Sequence, residues 1–340
     1  PGAVNEIKLR AKVVSPCEYY SCLVDAKWGC DPCQEVSQSS RVSQWTSIHK
    51  SPDGQRSRAV GEVANFEISA ELPGDAHDLW INDTVPKGLD YTSGNLSVQG
   101  IILQKETLTQ NSDGSLQIGW LFGDVVSAKS VVISYSCTVS NLLENHEGIE
   151  LAGTKACMSW RSGSGWKTDD DEAGAVRVVE PDLALELNSS QSVVGPGDSI
   201  SYKLAVYHSS QSSSSAFDVD LRDVLPGGLV YSPGSAAVLN GPAADFDENN
   251  LQWHFDEISP DWKGDRKVML RLNATSRSGP GDSIINNALL TWTSLAGAHA
   301  GERTGSGDVN DYQRQARSSA NSMGLSIRST ADPDPVKVGE

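Results

Sequence analysis

Six cysteines, six histidines and a surplus of carboxylates are the chemically capable residues of this 340-residue sequence. Cys17, Cys22, Cys30 and Cys33 form a C-x4-C-x7-C-x2-C array. Thiolates so spaced hold zinc or an iron–sulfur cluster. In an oxidising compartment the same four make two disulfides in a loop-rich cap. No histidine lies close by and the rest of the chain reads as secreted, which favours disulfides, with the pairing open. Cys137 and Cys157 each sit in an alternating strand of one repeat and read as a staple between neighbouring strands. Asp245-x-Asp247-x-Asn249 offers alternating oxygens of the kind calcium takes. It lacks the glycine and distal glutamate of an EF-hand, so a solvated turn is the plainer expectation. Asp169 to Glu172 and Asp308-x-Asn310-Asp311 read as acidic loops. His49, His77, His146, His208, His254 and His299 fall in no H-E-x-x-H motif, and there is no G-x-S-x-G or phosphate loop. The expectation is a protein that is not an enzyme and needs no cofactor. Asn82, Asn95, Asn188 and Asn273 head N-x-S/T sequons, the first and second flanking a turn that should be exposed.

The elements that must carry these residues are written twice. Asp83-Thr-Val-Pro-Lys-Gly-Leu-Asp-Tyr91 returns as Asp223-Val-Leu-Pro-Gly-Gly-Leu-Val-Tyr231, offset by 140. Pro-x-Gly supplies a turn between apolar strands, because proline fixes φ and glycine accepts positive φ. Phe66-Glu67-Ile68 matches Tyr202-Lys203-Leu204, and Ala156 to Trp160 matches Ala288 to Trp292. Such self-similarity marks a tandem array. Hydrophobic content is 38% and aromatic content 6%, with nine tryptophans, and few stretches have helical period. Short alternating strands follow, and the expected fold class is all-β, in tandem β-sandwiches.

The expected divisions are an N-terminal strand (Ile7–Val14) with the cysteine-rich segment at 1–44, a first sandwich at 45–180, a second at 181–322, and a final piece at 323–340. The short linker Val179-Glu180-Pro181-Asp182 leaves little freedom, while Ser209 to Ser215 reads as a flexible loop. The final piece, Leu325 to Glu340, aligns with Leu183 to Asp198 at an offset of 142, so it is the first strand of a third repeat. Its apolar positions are Leu325, Ile327, Val336 and Val338. A lone strand needs partners for its backbone groups. It is either a donor strand for a neighbour or the beginning of a longer array.

A net charge of −17 repels nucleic-acid phosphates and anionic membranes. No apolar run approaches 18 residues, so no membrane-inserted helix is expected, and no secretory leader is read at Pro1. With the Asp-x-x-Pro-x-Gly-Leu-x-Tyr motif, the strand Ala331-Asp-Pro-Asp-Pro-Val-Lys-Val-Gly-Glu340 and a closing Asn-x-Ala strand placed, the chain resembles the prokaryotic "conserved repeat domain". This domain of unknown function recurs in tandem on bacterial and archaeal surfaces. The resemblance covers about residues 45–340. It implies immunoglobulin-like sandwiches, an extracellular location and a structural or adhesive role, as in surface-layer, sheath and filament proteins. Some related surface domains carry a Lys–Asn isopeptide crosslink beside a carboxylate. Here the second copy has Asp223 and Asn287 but no lysine in its first strand. The first has Lys50 and Asp83, but Lys155 at the asparagine position. No such bond is expected.

The expected function is therefore a self-assembling structural subunit, a homopolymer joined head to tail. An adhesin that binds glycans or a host protein is the alternative, with Trp28, Trp166 and Trp262 in polar loops as stacking surfaces.

Overall fold

The computed structural model describes residues 20–28, 34–42, 48–98, 101–163, 165–306, 309 and 312–324, and every helix or strand among them is a strand. An N-terminal hairpin pairs β1 (Tyr20–Trp28) with β2 (Gln34–Val42). Domain 1 follows as β3 (Ile48–Ser51), β4 (Arg56–Ala59), β5 (Val63–Leu72), β6 (Ala76–Val85), β7 (Leu89–Val98), β8 (Lys105–Gln110), β9 (Leu116–Val125), β10 (Lys129–Val139), β11 (Glu150–Leu151), β12 (Lys155–Ser162), β13 (Gly165–Glu172) and β14 (Val176–Val179). Domain 2 holds β15 (Leu183–Ser189), β16 (Val193–Val194), β17 (Ser199–His208), β18 (Ala216–Val224), β19 (Leu229–Tyr231), β20 (Ala237–Asn240), β21 (Asp245–Asp247), β22 (Gln252–Ile258), β23 (Val268–Ser276), β24 (Ser283–Thr293) and β25 (Gln313–Ser322).

The two domains repeat one topology. In domain 1 a sheet of order β3-β5-β10-β7 packs on a sheet of order β13-β12-β6-β9-β8. In domain 2 the orders are β15-β17-β23-β19 and β16-β25-β24-β18-β22-β21. Each chain copy also pairs a short second strand in parallel with a closing strand, β4 with β14 and β16 with β25. These are tandem immunoglobulin-like β-sandwiches. Period-two patterning drives them. In β10, Val131, Ile133, Tyr135, Cys137 and Val139 are buried while the residues between them are not. The duplicated motif is the corner between the sheets: β6 ends at Val85, Leu89 N–H donates to Pro86 O, and β7 begins in the opposite sheet. In domain 2 Leu229 N–H donates to Pro226 O in the same way.

Backbones come closest at Gly153, where a Cβ would stand 1.7 Å from Ala173 O. There Ala173 N–H donates to Thr154 O at 3.0 Å. Gly153→Ala is expected to destabilise domain 1 by roughly 3 kcal/mol or more, since the obstacle is backbone and cannot swing away. A urea titration reads this as a lower midpoint at unchanged slope.

Three expectations change. Asp169 to Glu172 is not a loop but the outer part of edge strand β13, hairpin-paired to β12. Ser209 to Ser215 is not a free loop: Ser212 is buried and the segment bonds to the interdomain linker. The Cys137–Cys157 staple is not formed. The two thiols lie in opposite sheets, Cys137 facing the core and Cys157 the outer face of β12 beside Asn82 and Asp170. Cys22 stands opposite Ser40 in the hairpin. Cys17, Cys30, Cys33, the Ile7–Val14 strand, Asp308, Asn310, Asp311 and the strand with Leu325, Ile327, Val336 and Val338 lie outside the described residues.

Candidate functional site

Each core contains one buried carboxylate at the same place, the aspartate that opens the repeated motif. Asp83 lies opposite Ala156 and Asp223 opposite Ala288. Register then equates Thr154 with Asn286, and Lys50, opposite Ile68, with Leu187, opposite Leu204. All six side chains are buried. In domain 1 Lys50 Nζ is ion-paired with Asp83 Oδ2. Nζ also donates to Tyr135 OH at 2.7 Å, and that hydroxyl donates to Asp83 Oδ2 at 2.7 Å. The ammonium lies 4.1 Å from the Tyr135 ring centroid, a cation–π contact in a dry setting. Burial lowers the lysine's pKa, with Asp83 pulling the other way, and raises the Tyr135 phenol far above its ordinary value. Burial also pushes the adjacent Cys137 thiol up to about 12, which makes it an inert core residue rather than a nucleophile.

In domain 2 leucine fills the lysine's place. Asp223 Oδ2 accepts from Asn286 Nδ2 at 3.0 Å, and no countercharge among the described residues acts on it. The sequence points to Asn287 as the inner asparagine and Lys155 as its equivalent in the first copy. Both are one residue off. Alternation along β24 buries Asn286 and exposes Asn287, and Lys155 points outward to Asp170 at 2.9 Å. The residues that could form a Lys–Asn bond are thus divided: lysine and aspartate in one core, aspartate and asparagine in the other.

The second site is the joint between the domains. Arg303, fully buried, reaches from domain 2 into the 141–145 segment of domain 1. Nε donates to Asn141 Oδ1 at 2.9 Å, Nη1 to Asn145 O at 3.0 Å and Nη2 to Leu142 O at 2.7 Å. Nη1 is also ion-paired with Glu180 of the linker. Glu180 accepts from Tyr312 OH at 2.7 Å and Glu147 N–H at 2.8 Å, and its own N–H donates to Glu147 Oε2 at 2.7 Å. Trp292 stacks on Tyr312 with centroids 5.4 Å apart and donates to Pro181 O. Ser294 Oγ donates to Val60 O at 2.8 Å, a second tie across the joint. Four donated bonds from a planar guanidinium, one of them to a linker carboxylate, fix orientation as well as contact.

His208 lies under this joint, fully buried, with Nε2 donating to Ile258 O at 2.8 Å and Nδ1 2.6 Å from Ser212 Oγ. Burial lowers its pKa below the usual 6.5, with Lys263 adding to this and Asp182 opposing. A base held neutral in the fold binds fewer protons there than in the unfolded chain. Its contribution is complete above about pH 6.5 and is lost as pH falls below that value. His208→Gln is expected to remove a stability loss between pH 6.5 and 5, read from thermal midpoints at the two pH values.

The remaining candidates separate. Asp247 closes its own turn, accepting from Asn249 N–H at 2.9 Å and from Asn250 Nδ2, and Asp245 pairs across β21–β22 with His254. Among the described residues no group of three or more His, Cys, Asp or Glu is placed to hold a metal ion. Of the sequons, Asn188 is exposed at the end of edge strand β15. Asn82 lies mid-strand in β6 rather than in the turn, Asn273 is half-buried in β23, and Asn95 lies in β7. Trp166 is 62% exposed on β13, whereas Trp262 is half-buried with Arg266 over its ring; Trp28 ends β1. No described helix is long and apolar enough to cross a membrane. Arg303 and Glu180 carried no signal in the sequence, where one lies in a Gly-rich stretch and the other in the linker.

No protein-family model matches the chain, and no curated protein matches it. Among solved structures it is similar to BcpA, the major pilin subunit of Bacillus cereus, at 9% identity over 75% of this chain and 81% of that one, with a TM-score of 0.33. It is similar to the full-length major pilin SpaD of Corynebacterium diphtheriae at 9% identity over 84% of this chain and 67% of that one, with a TM-score of 0.31. The collagen-binding subdomain of the Enterococcus faecalis surface protein ACE matches at 10% identity over 40% of this chain and 99% of that one, with a TM-score of 0.28.

Proposed function

We propose that this chain is a structural subunit of an extracellular surface assembly, a filament, sheath or surface layer, in which sandwich modules are joined head to tail. The observation that carries the proposal is the repeat: two modules of one topology, then a segment, Leu325 to Glu340, with the sequence of a further first strand. Such a strand completes a sheet, in its own chain or a neighbour's, and strand addition between copies is a heterologous contact that propagates. The buried joint supports this reading, because a fixed interdomain angle passes geometry from one module to the next. Domain 1 offers an edge: β7 runs ten residues at the end of its sheet. In domain 2 the corresponding edge is split into β19 and β20 around Pro233 and Gly234, a usual way of blunting pairing. Electron microscopy of the native material tests the proposal. A long regular polymer supports it, and dispersed monomers at high concentration contradict it. A sugar-binding role has one observation behind it, the exposed Trp166. It requires a glycan-array signal that Trp166→Ala removes.

A further inference from the structure

Among the buried oxygens of domain 2 without a partner among the described residues are Asp223 Oδ1 and Asn286 Oδ1. Both belong to the pair already joined by Asn286 Nδ2–H donating to Asp223 Oδ2 at 3.0 Å, and the residues are 2% and 0% exposed. An orphaned buried oxygen is destabilising, and an unpaired buried carboxylate more so. A proton on Asp223 Oδ1 would cancel the charge and give that oxygen a hydrogen to donate, and Asn286 Oδ1 is an acceptor of the same pair still without a partner.

We propose that Asp223 is a carboxylic acid in the folded protein at acidic pH, closed with Asn286 into a reciprocal acid–amide pair whose contribution domain 2 loses as the pH rises to neutral. The surroundings leave no other neutraliser. From β15 comes Leu187, where domain 1 has Lys50. From β17 comes Tyr202, a phenol that burial and Asp223 push up to about 12. From β24 comes Asn286 itself. No cation among the described residues acts on the carboxyl, and burial raises its pKa from 3.8 to about 7. The fold therefore holds a proton that the unfolded chain has lost. The pair's stability is complete below about pH 4 and declines as pH rises to about 7, where the proton leaves to solvent. The slope is opposite to that of His208. Domain 1, with its carboxylate paired to a lysine, lacks this proton-closed pair.

The test uses the full chain. Infrared difference spectra against Asp223→Asn are recorded from pH 5 to 8.5, with denaturant titrations alongside. The wild type is expected to show the C=O band of a buried protonated carboxyl at pH 5, fading with a midpoint near 7. Its folding equilibrium for domain 2 is expected to weaken roughly a hundred-fold from pH 5 to 8. Asp223→Asn presents an amide in the same shape, so it lacks the band and the hundred-fold loss. Absence of the band at pH 5, or equal pH profiles for the two proteins, overturns the proposal. Should the variant fail to fold, the carboxyl 13C shift of Asp223 in the wild type, titrated over the same range, decides alone: no titration near 7 rejects it.

Discussion

Arg303→Leu is expected to cost the chain about 3–5 kcal/mol and to uncouple its two sandwiches. The variant leaves the linker carboxylate Glu180, 7% exposed, without its cation, and strips donors from Leu142 O, Asn145 O and Asn141 Oδ1. Glu180 keeps Tyr312 OH and Glu147 N–H, so the loss should sit toward the lower end of that range. Adding Glu180→Gln removes the stranded charge and should recover part of it, the non-additivity expected of partners in one network. Calorimetry reads the result. The wild type should melt cooperatively across both domains, and the single variant should resolve into two transitions. A variant that melts like the wild type would mean that Arg303 is decoration on a joint held by other contacts.

The second large effect is expected at Lys50. Lys50→Leu gives domain 1 the residue that domain 2 carries at the same place, but leaves Asp83 in a fully buried site with Tyr135 OH as its remaining donor. Removing one partner of a buried ion pair costs about 3–5 kcal/mol when the other stays charged. A proton relieves that cost, so the loss should be smaller at pH 5 than at pH 8, and domain 1 should acquire the loss of stability with rising pH inferred for domain 2. Adding Thr154→Asn completes the domain 2 set of leucine, aspartate and asparagine, and should recover stability mainly at pH 5. Equal losses at both pH values would show that Asp83 is solvated in the variant and that the equivalence of the two cores is only geometric.

What the sequence disclosed was the repeat, and through it the corner turn, the tandem sandwiches and the all-β class. Each has a local cause: Pro86 and Pro226 fix a turn, and alternating apolar residues choose a face. The core aspartates were visible as the first residue of the motif. Their partners were missed by one position, because in a strand a shift of one residue exchanges the inner and outer faces. Asn287 and Asn286 are indistinguishable until register is known. Asp169 to Glu172 looked like a solvated loop for a sound reason, yet in edge strand β13 these carboxylates alternate, with Asp170 and Glu172 exposed while Asp171 accepts from Lys50 N–H of β3 at 2.7 Å. Cys137 and Cys157 both sat in convincing strands, but which sheet and which face each strand presents is a tertiary fact. The joint was illegible. Arg303 acquires its role from carbonyls at 142 and 145, more than 150 residues away, and no local pattern records such a meeting.

The central claim is that two sandwiches of one design are locked into a single unit by a buried arginine and a linker carboxylate. Backbone 15N relaxation on the full chain measures this most directly. Amides of β5 to β14 and of β15 to β25 should fit one shared rotational diffusion tensor, and Arg303→Leu should split it into two. Two independent tensors in the wild-type protein would contradict the account.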